Sequence, residues 1–466
     1  MRRGHALCCL MVLAPAPALA QTEAWEPPTL TITRYDEDWS TMGAKHVRGG
    51  GWTEPFKHIA LSDTDDSDYI VTGIELRARN ENYRANELGN AQAPGDSYLW
   101  LRAMPYADLH VGIARAFVQP ILAYAVGVSP SPSPVDQTRL DMLQAFADVK
   151  IPLGSGGASL TLRGGRELLS LGTERLVGTR YGPNVPLAFD GGRAILQAGS
   201  VTANILYVRP VQAGPGTFDD HTSSTKRLWG LYTTRSFDWG AGADLYYLGY
   251  TNTRAIFNKG SGVEHRQTVG ARFFGKTARG WHWNVEGMYQ FGRFADMPIS
   301  AWSVGSEIGH SFTTLRFKPD VLLRMNVVSG DKGAGDKTLG TFNAMFPKGK
   351  YFGELSPVGP YNIINTHLGV TGQLGHGVTT SLAAIAYWRQ SRGDGIYDIP
   401  GNLLRASGDL KSRFIGKQIE GTLAWQATPE LELSTSLSAF APGDFLQQSG
   451  TGKTITMVGT EANFRF

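Results

Sequence analysis

The feature that most constrains this chain is an alternation of period two that recurs along its length. Between residues 281 and 291, Trp281, Trp283, Val285, Gly287, Tyr289 and Phe291 share one face, and His282, Asn284, Glu286, Met288 and Gln290 share the other. Side chains that alternate in this way belong to a β-strand with two chemically distinct faces. Aromatic groups stand at both ends of the apolar row, with small or branched groups between them. Ten steps of about 3.3 Å, tilted by about 40°, climb on the order of 25 Å, which is the height of the apolar band between the aromatic girdles of an outer-membrane barrel. The pattern returns in Ile74, Leu76 and Ala78 against Glu75, Arg77 and Arg79, and in the row Val201, Ala203, Ile205 and Tyr207. Ala241, Ala243, Leu245 and Tyr247 repeat it opposite Asp244, and Leu431, Leu433, Leu437 and Ala439 face away from Glu432, Ser434, Ser436 and Ser438. It also closes the chain. Thr456, Val458, Thr460, Ala462, Phe464 and Phe466 oppose Gly459, Glu461, Asn463 and Arg465, with Ile455 and Met457 as apolar exceptions on the polar parity.

Composition agrees with one large barrel. Met1-Arg2-Arg3, an apolar run over residues 6–13 and Ala18-Leu19-Ala20 read as a secretory signal peptide over residues 1–20, which leaves 21–466 as the barrel domain. The only cysteines, Cys8 and Cys9, fall in that leader, so the mature chain offers neither a disulfide nor a thiolate metal site. Removing Arg2 and Arg3 from 44 basic residues leaves 42 against 41 acidic ones, a near-neutral balance that argues against a nucleic-acid partner. No window is long and apolar enough for a transmembrane helix. With 57 glycines and 11% aromatic residues, the fold class is all-β: a single transmembrane antiparallel barrel.

The connections alternate in length. Short turns are expected near residues 154–157, 238–240, 278–280, 376–377 and 428–430, and long irregular stretches at 128–140, 212–226, 329–366 and 389–413. Tight turns on one rim and long loops on the other mark the periplasmic and outer ends of such a barrel. "SDTDDSD" (62–68) lacks the glycine and distal glutamate of a calcium loop and reads as a solvated turn. "SGDKGAGDKT" (329–338) fails the phosphate-loop pattern, because Asp336 separates Gly335 from Lys337. The histidines have no zinc-helix spacing and no G-x-S-x-G elbow is present, so neither an enzyme nor a cofactor is expected.

Arginines are the candidate solute contacts. Arg163, Arg166, Arg175, Arg180 and Arg193 crowd residues 161–193, where guanidinium groups in a confined pore would pair with carboxylates of a passing sugar acid or with lumen acids. Strand parity places Arg77, Arg79, Arg163, Arg272, Lys276, Arg324 and Arg465 on the wet face. It also places Glu75, Asp244, Glu286, Glu307, Glu420, Glu432 and Glu461 there. Seven against seven gives no bulk anion selectivity, so selectivity has to come from a local constriction. The pore-lining set is therefore Arg77, Arg79, Arg163, Arg166, Arg193, Arg272 and Arg324. Residues 342–354 of the longest loop, with Phe346, Lys348, Lys350 and Tyr351, form the candidate inward gate.

Several stretches resemble the alginate export family of outer-membrane barrels: "RYDEDWS" (34–40), "LQAFADVKIPLGSGGASLTLRGGREL" (143–168), "GPNVPLAFDGGRA" (182–194), "YQFGRFAD" (289–296), "GTFNAMFPKGKYFGE" (340–354), "GNLLR" (401–405) and "VGTEANFRF" (458–466). The resemblance is stronger to an uncharacterised branch of the family than to the alginate exporter itself. It implies a monomeric barrel of about eighteen strands and, for the exporter, an electropositive lumen that conducts an acidic polysaccharide. The expected partners are outer-membrane lipid, an anionic oligo- or polysaccharide, and the barrel assembly machinery through the C-terminal Phe466. The expected function is passive passage of a hydrophilic, anionic saccharide; the alternatives are a non-selective porin and a barrel enzyme.

Overall fold

The alternating segments close into one barrel in the computed structural model, which describes residues 27–44, 51–62, 67–86, 95–333, 335–450 and 452–466. The segment read as a signal peptide lies outside the described residues, as do Asp63, Asp65 and Asp66 of the acidic turn. The wall has 18 antiparallel strands. The first six are β1 (Tyr69–Arg84), β2 (Gly95–Val111), β3 (Ala114–Val126), β4 (Arg139–Leu153), β5 (Ala158–Leu168) and β6 (Ala188–Ala198). Then come β7 (Val201–Gln212), β8 (Lys226–Phe237), β9 (Ala241–Phe257), β10 (Gly260–Lys276), β11 (Trp281–Phe294) and β12 (Met297–Ser311). The last are β13 (Asp320–Val328), β14 (Ile363–Gly375), β15 (Val378–Arg389), β16 (Phe414–Gln426), β17 (Leu431–Pro442) and β18 (Ile455–Arg465). Each strand pairs with its neighbour in sequence. β18 then pairs with β1, from Glu75 opposite Arg465 to Arg84 opposite Thr456, so the wall has no free edge.

One rim carries the tight turns, including residues 112–113, 154–157, 199–200, 238–240 and 376–377. His376 (φ 50) and Gly377 (φ 78) both take the left-handed conformation that a two-residue type I′ hairpin requires. The opposite rim carries the loops 127–138, 169–187, 213–225, 329–362, 390–413 and 443–454. The outward faces are aliphatic and aromatic: Leu245, Leu382, Ile419 and Ile205 are all more than half exposed to the surroundings of the barrel. A continuous apolar girdle of this kind is a lipid-facing surface. On β11, Trp281, Val285, Tyr289 and Phe291 face outward, and Asn284, Glu286, Met288 and Gln290 are buried inside.

The interior is not an empty tube. The N-terminal segment 27–44 lies against the inner faces of β1–β5, where Tyr35, Trp39 and Met42 share a buried cluster with Tyr69, Val71, Tyr106, Phe117 and Phe146. Tyr35 donates its hydroxyl to the Leu168 carbonyl (2.6 Å), and Arg34 donates to the terminal oxygen of Phe466 (2.7 Å) and to Tyr106 Oη (3.2 Å). This segment is thereby clasped to the seam where the last strand meets the first. "RYDEDWS" is thus lumen filling rather than wall.

The larger occupant is the loop 329–362. Phe342, Phe346 and Phe352 are almost wholly buried in one cluster with the inward-facing Leu206, Leu228, Leu248 and Met288. Each such phenylalanine contributes about 1.5–3 kcal/mol by leaving water, which is why an apolar inner wall on β7–β11 is compatible with a transmembrane pore. Ile455 and Met457, the exceptions on the terminal strand, are buried for the same reason; Ile455 belongs to that cluster together with Phe445 and Leu446 of the short helix Asp444–Gln448.

Candidate functional site

The lumen is crossed by two loops that meet in its middle. Val177 of loop 169–187 and Phe346 of loop 329–362 form a parallel bridge, with Gly178 N donating to Phe346 O (2.8 Å) and Phe346 N to Leu176 O (2.9 Å). Lys348 N continues the contact by donating to Glu174 O (2.9 Å). Phe346 also stands edge-on against Phe189 and Tyr250. Of the four residues singled out in this loop, Phe346 and Tyr351 are buried, while Lys348 and Lys350 remain partly open.

Loop 169–187 is held at both walls. On one side Arg175 reaches Asn326 Oδ1, Glu286 (3.2 Å) and Glu307 (3.5 Å). On the other, Arg77 donates to the carbonyls of Tyr181, Gly182 and Pro183, and Arg102 donates to those of Tyr181, Pro183 and Asn184. Arg102 also pairs with Glu75 at 2.6 Å, and Tyr181 donates its hydroxyl to the other oxygen of that carboxylate (2.6 Å).

Six of the seven arginines of the expected lining face inward; Arg166, three residues along β5 from Arg163, falls on the outward parity opposite Asp190 and is not a lumen residue, and all seven are already engaged by the protein. Arg163 forms a two-pronged pair with Asp148 (2.7 Å on each arm) and reaches Glu167 at 2.9 Å, while its guanidinium lies between the Tyr35 and Phe146 rings. Arg166 grips Asp190, and Arg193 lies 3.6 Å from Glu167. Arg79 binds Glu81, Glu354 and Glu461; Arg272 binds Asp244 and stacks on Phe274; Arg324 binds Glu307 at 2.9 Å. Charge removed from water this far has to be matched locally, and the seven-to-seven balance of the wet face is spent largely in that matching. Arg163, Arg77 and Arg102 are accordingly supports for the interior segments. Arg102 and Arg175 were not in the expected lining; Arg102 sits on the buried parity of β2 with Trp100 and Asp108, a polar row that parity reading alone reveals.

The inner wall is uneven in bulk. Several inward positions on β14–β17 are small, namely Gly369, Thr371, Ser381, Ala383, Thr422, Ser434 and Ser436, while His367, Ile385, Tyr387, Gln418 and Phe440 share the same faces. Opposite them, β7–β11 are bulky and covered by loop 329–362. The loop also touches these strands, where Phe352 stands edge-on against Tyr387 and Glu354 N donates to Glu420 (3.0 Å). Lys348, partly open, has no carboxylate within ion-pair distance among the described residues. It acts through space on Glu307, as do Arg324 and Arg175. Three cations, Arg175, Arg324 and Lys348, here face two carboxylates, Glu286 and Glu307.

A latch secures the far end of the loop. Glu354 accepts from Lys350 Nζ (2.6 Å) and Arg79 Nη2 (2.8 Å). Burial pushes its carboxyl up, but Lys350 and then Arg79 outweigh burial and hold its pKa at about 2. An unfolded-chain glutamate titrates near about 4.3, so the latch contributes fully above that pH and loses its contribution as pH falls towards 2. Single-channel records are expected to be steady from neutral pH to about pH 5 and to become noisy below about pH 4. Glu354→Gln is expected to bring the noise to neutral pH, and identical records for both proteins at both pH values would remove the latch. Among the described residues, Asp141, Asp219 and Asp220 bring carboxylate oxygens within 4.8 Å of one another, but backbone and threonine donors already occupy them.

A family model described as alginate export matches residues 68–459, nearly the whole wall. The chain belongs to the alginate export family. As a member of that family it is an outer-membrane barrel of the channel type, its apolar girdle in contact with lipid. Similar solved structures include Acinetobacter baumannii OccAB1, with a TM-score of 0.57 and 12% identity over 88% of this chain and 98% of that one. Pseudomonas aeruginosa OccK2 (OpdF) in complex with glucuronate has a TM-score of 0.55 and 12% identity over 85% and 98%. Pseudomonas aeruginosa OccK11 (OpdR) has a TM-score of 0.55 and 11% identity over 85% and 96%. At these identities the likeness is one of fold. No curated protein sequence matches the chain.

Proposed function

We propose that this barrel passes a hydrophilic, anionic saccharide across the outer membrane by diffusion. One observation carries the choice of an anion: around the crossing of loops 169–187 and 329–362, Arg175, Arg324 and Lys348 outnumber Glu286 and Glu307, and Lys348 is not committed to an ion pair. Elsewhere in the described lumen most cations are tied to carboxylates, so this crossing is where a mobile carboxylate finds unspent positive potential. The hydroxyls of Thr371, Ser381, Thr422, Ser434 and Ser436 stand on the inner faces of β14–β17, and they can exchange hydrogen bonds with sugar hydroxyls. OccK2, whose fold is similar, was crystallised with glucuronate, which supports a sugar acid as the solute class. Residues 342–354 act as the fixed constriction of this path.

The test is charge reversal at Lys348. In a planar bilayer with a salt gradient, the reversal potential of the wild type is expected to show anion preference, and Lys348→Glu is expected to move it towards cation preference. An unchanged reversal potential would place the solute path elsewhere. A non-selective wild type would make the protein a general porin.

A further inference from the structure

Above the crossing loops, towards the long-loop rim, lies a chamber of about 210 Å³. It is smaller than the about 300–1,000 Å³ of pockets that enclose drug-sized ligands, so it accommodates one sugar ring at a time. One wall is aromatic. Tyr83 stacks on Tyr98 (centroids 6.1 Å, interplanar angle 20°), and Tyr98 is tilted against Trp100 (5.1 Å, 39°). Glu81 holds this wall in place: one of its oxygens accepts from both Tyr83 Oη (2.8 Å) and Tyr98 Oη, and the other accepts from Arg79. The tyrosine hydroxyls are thereby spent, and Tyr98 is held between Tyr83 and Trp100 along the chamber's wall.

The opposite wall carries Arg180, Lys350 and Glu354. Lys350 is committed to Glu354, but Arg180 is not so committed. Its Nε donates to the Pro347 carbonyl (3.3 Å), and among the described residues it has no ion pair. Burial lowers its pKa from the usual arginine range against the weaker pull of Tyr361 and Asp398, the behaviour of a charge without an adequate partner. Lys226, likewise without an ion pair among the described residues, adds a second positive charge within electrostatic reach of Arg180.

We infer that this chamber is a docking subsite for a single uronate ring, with the aromatic wall of Tyr83, Tyr98 and Trp100 receiving its C–H face and Arg180 receiving its carboxylate. This rests on the anionic-saccharide function proposed above and places the solute's first stop on the loop side. An aromatic face carries partial negative charge and attracts the polarised C–H bonds of a pyranose, and a guanidinium fork matches a carboxylate in shape. Neutral sugars engage the first contact only. A ring that binds at the chamber then lies above the loop crossing and Lys348.

The full-length protein in a planar bilayer tests this, with glucuronate or glucose added to either side in turn. Wild type is expected to show brief current blockades with glucuronate from the loop side, and shorter ones with glucose. Arg180→Gln is expected to shorten the glucuronate blockade about tenfold, the loss of one charge-assisted contact, and to leave the glucose blockade unchanged. Tyr83→Leu is expected to shorten both. Equal glucuronate blockades in wild type and Arg180→Gln, or blockades from the turn side alone, would overturn the subsite. A glucuronate current that persists beside such a result would leave the channel function standing. Arg180-dependent blockade without any glucuronate current would keep the subsite and overturn transport.

Discussion

Removing residues 342–354 is expected to raise the single-channel conductance several-fold. The segment carries Phe342, Phe346 and Phe352, which fill the space between the inner faces of β7–β11 and those of β14–β17. Without it the lumen opens on the β7–β11 side, and conductance grows with the open area. The same deletion exposes Leu206, Leu228, Leu248 and Met288 to lumen water, so the variant is also expected to unfold at lower temperature. A short glycine–serine bridge in place of the deleted segment keeps β13 and β14 joined. Selectivity is expected to fall as well, because Lys348 leaves with the segment while Arg324 and Glu307 remain paired. Unchanged conductance in a folded variant would place the conducting path away from this loop.

The second large effect is expected at Arg102. Its side chain is wholly buried; it pairs with Glu75 and donates to three carbonyls of the 181–184 stretch. Arg102→Met leaves the Glu75 carboxylate buried with Tyr181 Oη as its remaining close donor, and it takes the arginine donor from the Asn184 carbonyl while Arg77 still serves those of Tyr181 and Pro183. Breaking a buried pair from one side costs on the order of 3–5 kcal/mol, most of it the penalty for the stranded charge. The variant is expected to lose its folded electrophoretic mobility at a lower temperature than wild type and to show flickering current as loop 169–187 works loose. Adding Glu75→Gln is expected to recover much of the stability, since no ion is then stranded. If the single variant proved as stable as the double, Arg102 would not be the strut that the geometry makes it.

The wall was legible in the sequence because a membrane-spanning strand imposes its own period. The faces of 281–291 and of the terminal strand were readable one residue at a time, and the turn at 376–377 announced itself through glycine. The family resemblance supplied the approximate strand number, and the wall follows it. Partners were not legible. Parity places Arg163 and Asp148 inside, but only the register of β4 on β5 puts them opposite each other, and register depends on shear, which a single sequence does not display. The interior segments were less legible still. Residues 27–44 and 169–187 cross the lumen in irregular conformations, so no period marks them, and their charged and aromatic residues look like those of solvated loops. Arg180 stood in the arginine-rich stretch, yet nothing local distinguished it from Arg163. The difference lies in which of them the folded barrel leaves without a carboxylate. Met288 and the exceptions Ile455 and Met457 were the visible traces of lumen filling, since an inward apolar side chain needs an apolar neighbour inside.

The central claim is that an organic anion of sugar size carries current past loop 329–362. The most direct measurement is the reversal potential of the wild-type channel with potassium chloride on one side and potassium glucuronate on the other, followed by the same measurement on Lys348→Glu. A finite glucuronate permeability that drops in the variant is the expected result. A reversal potential set by potassium and chloride alone, identical in the two proteins, would contradict it.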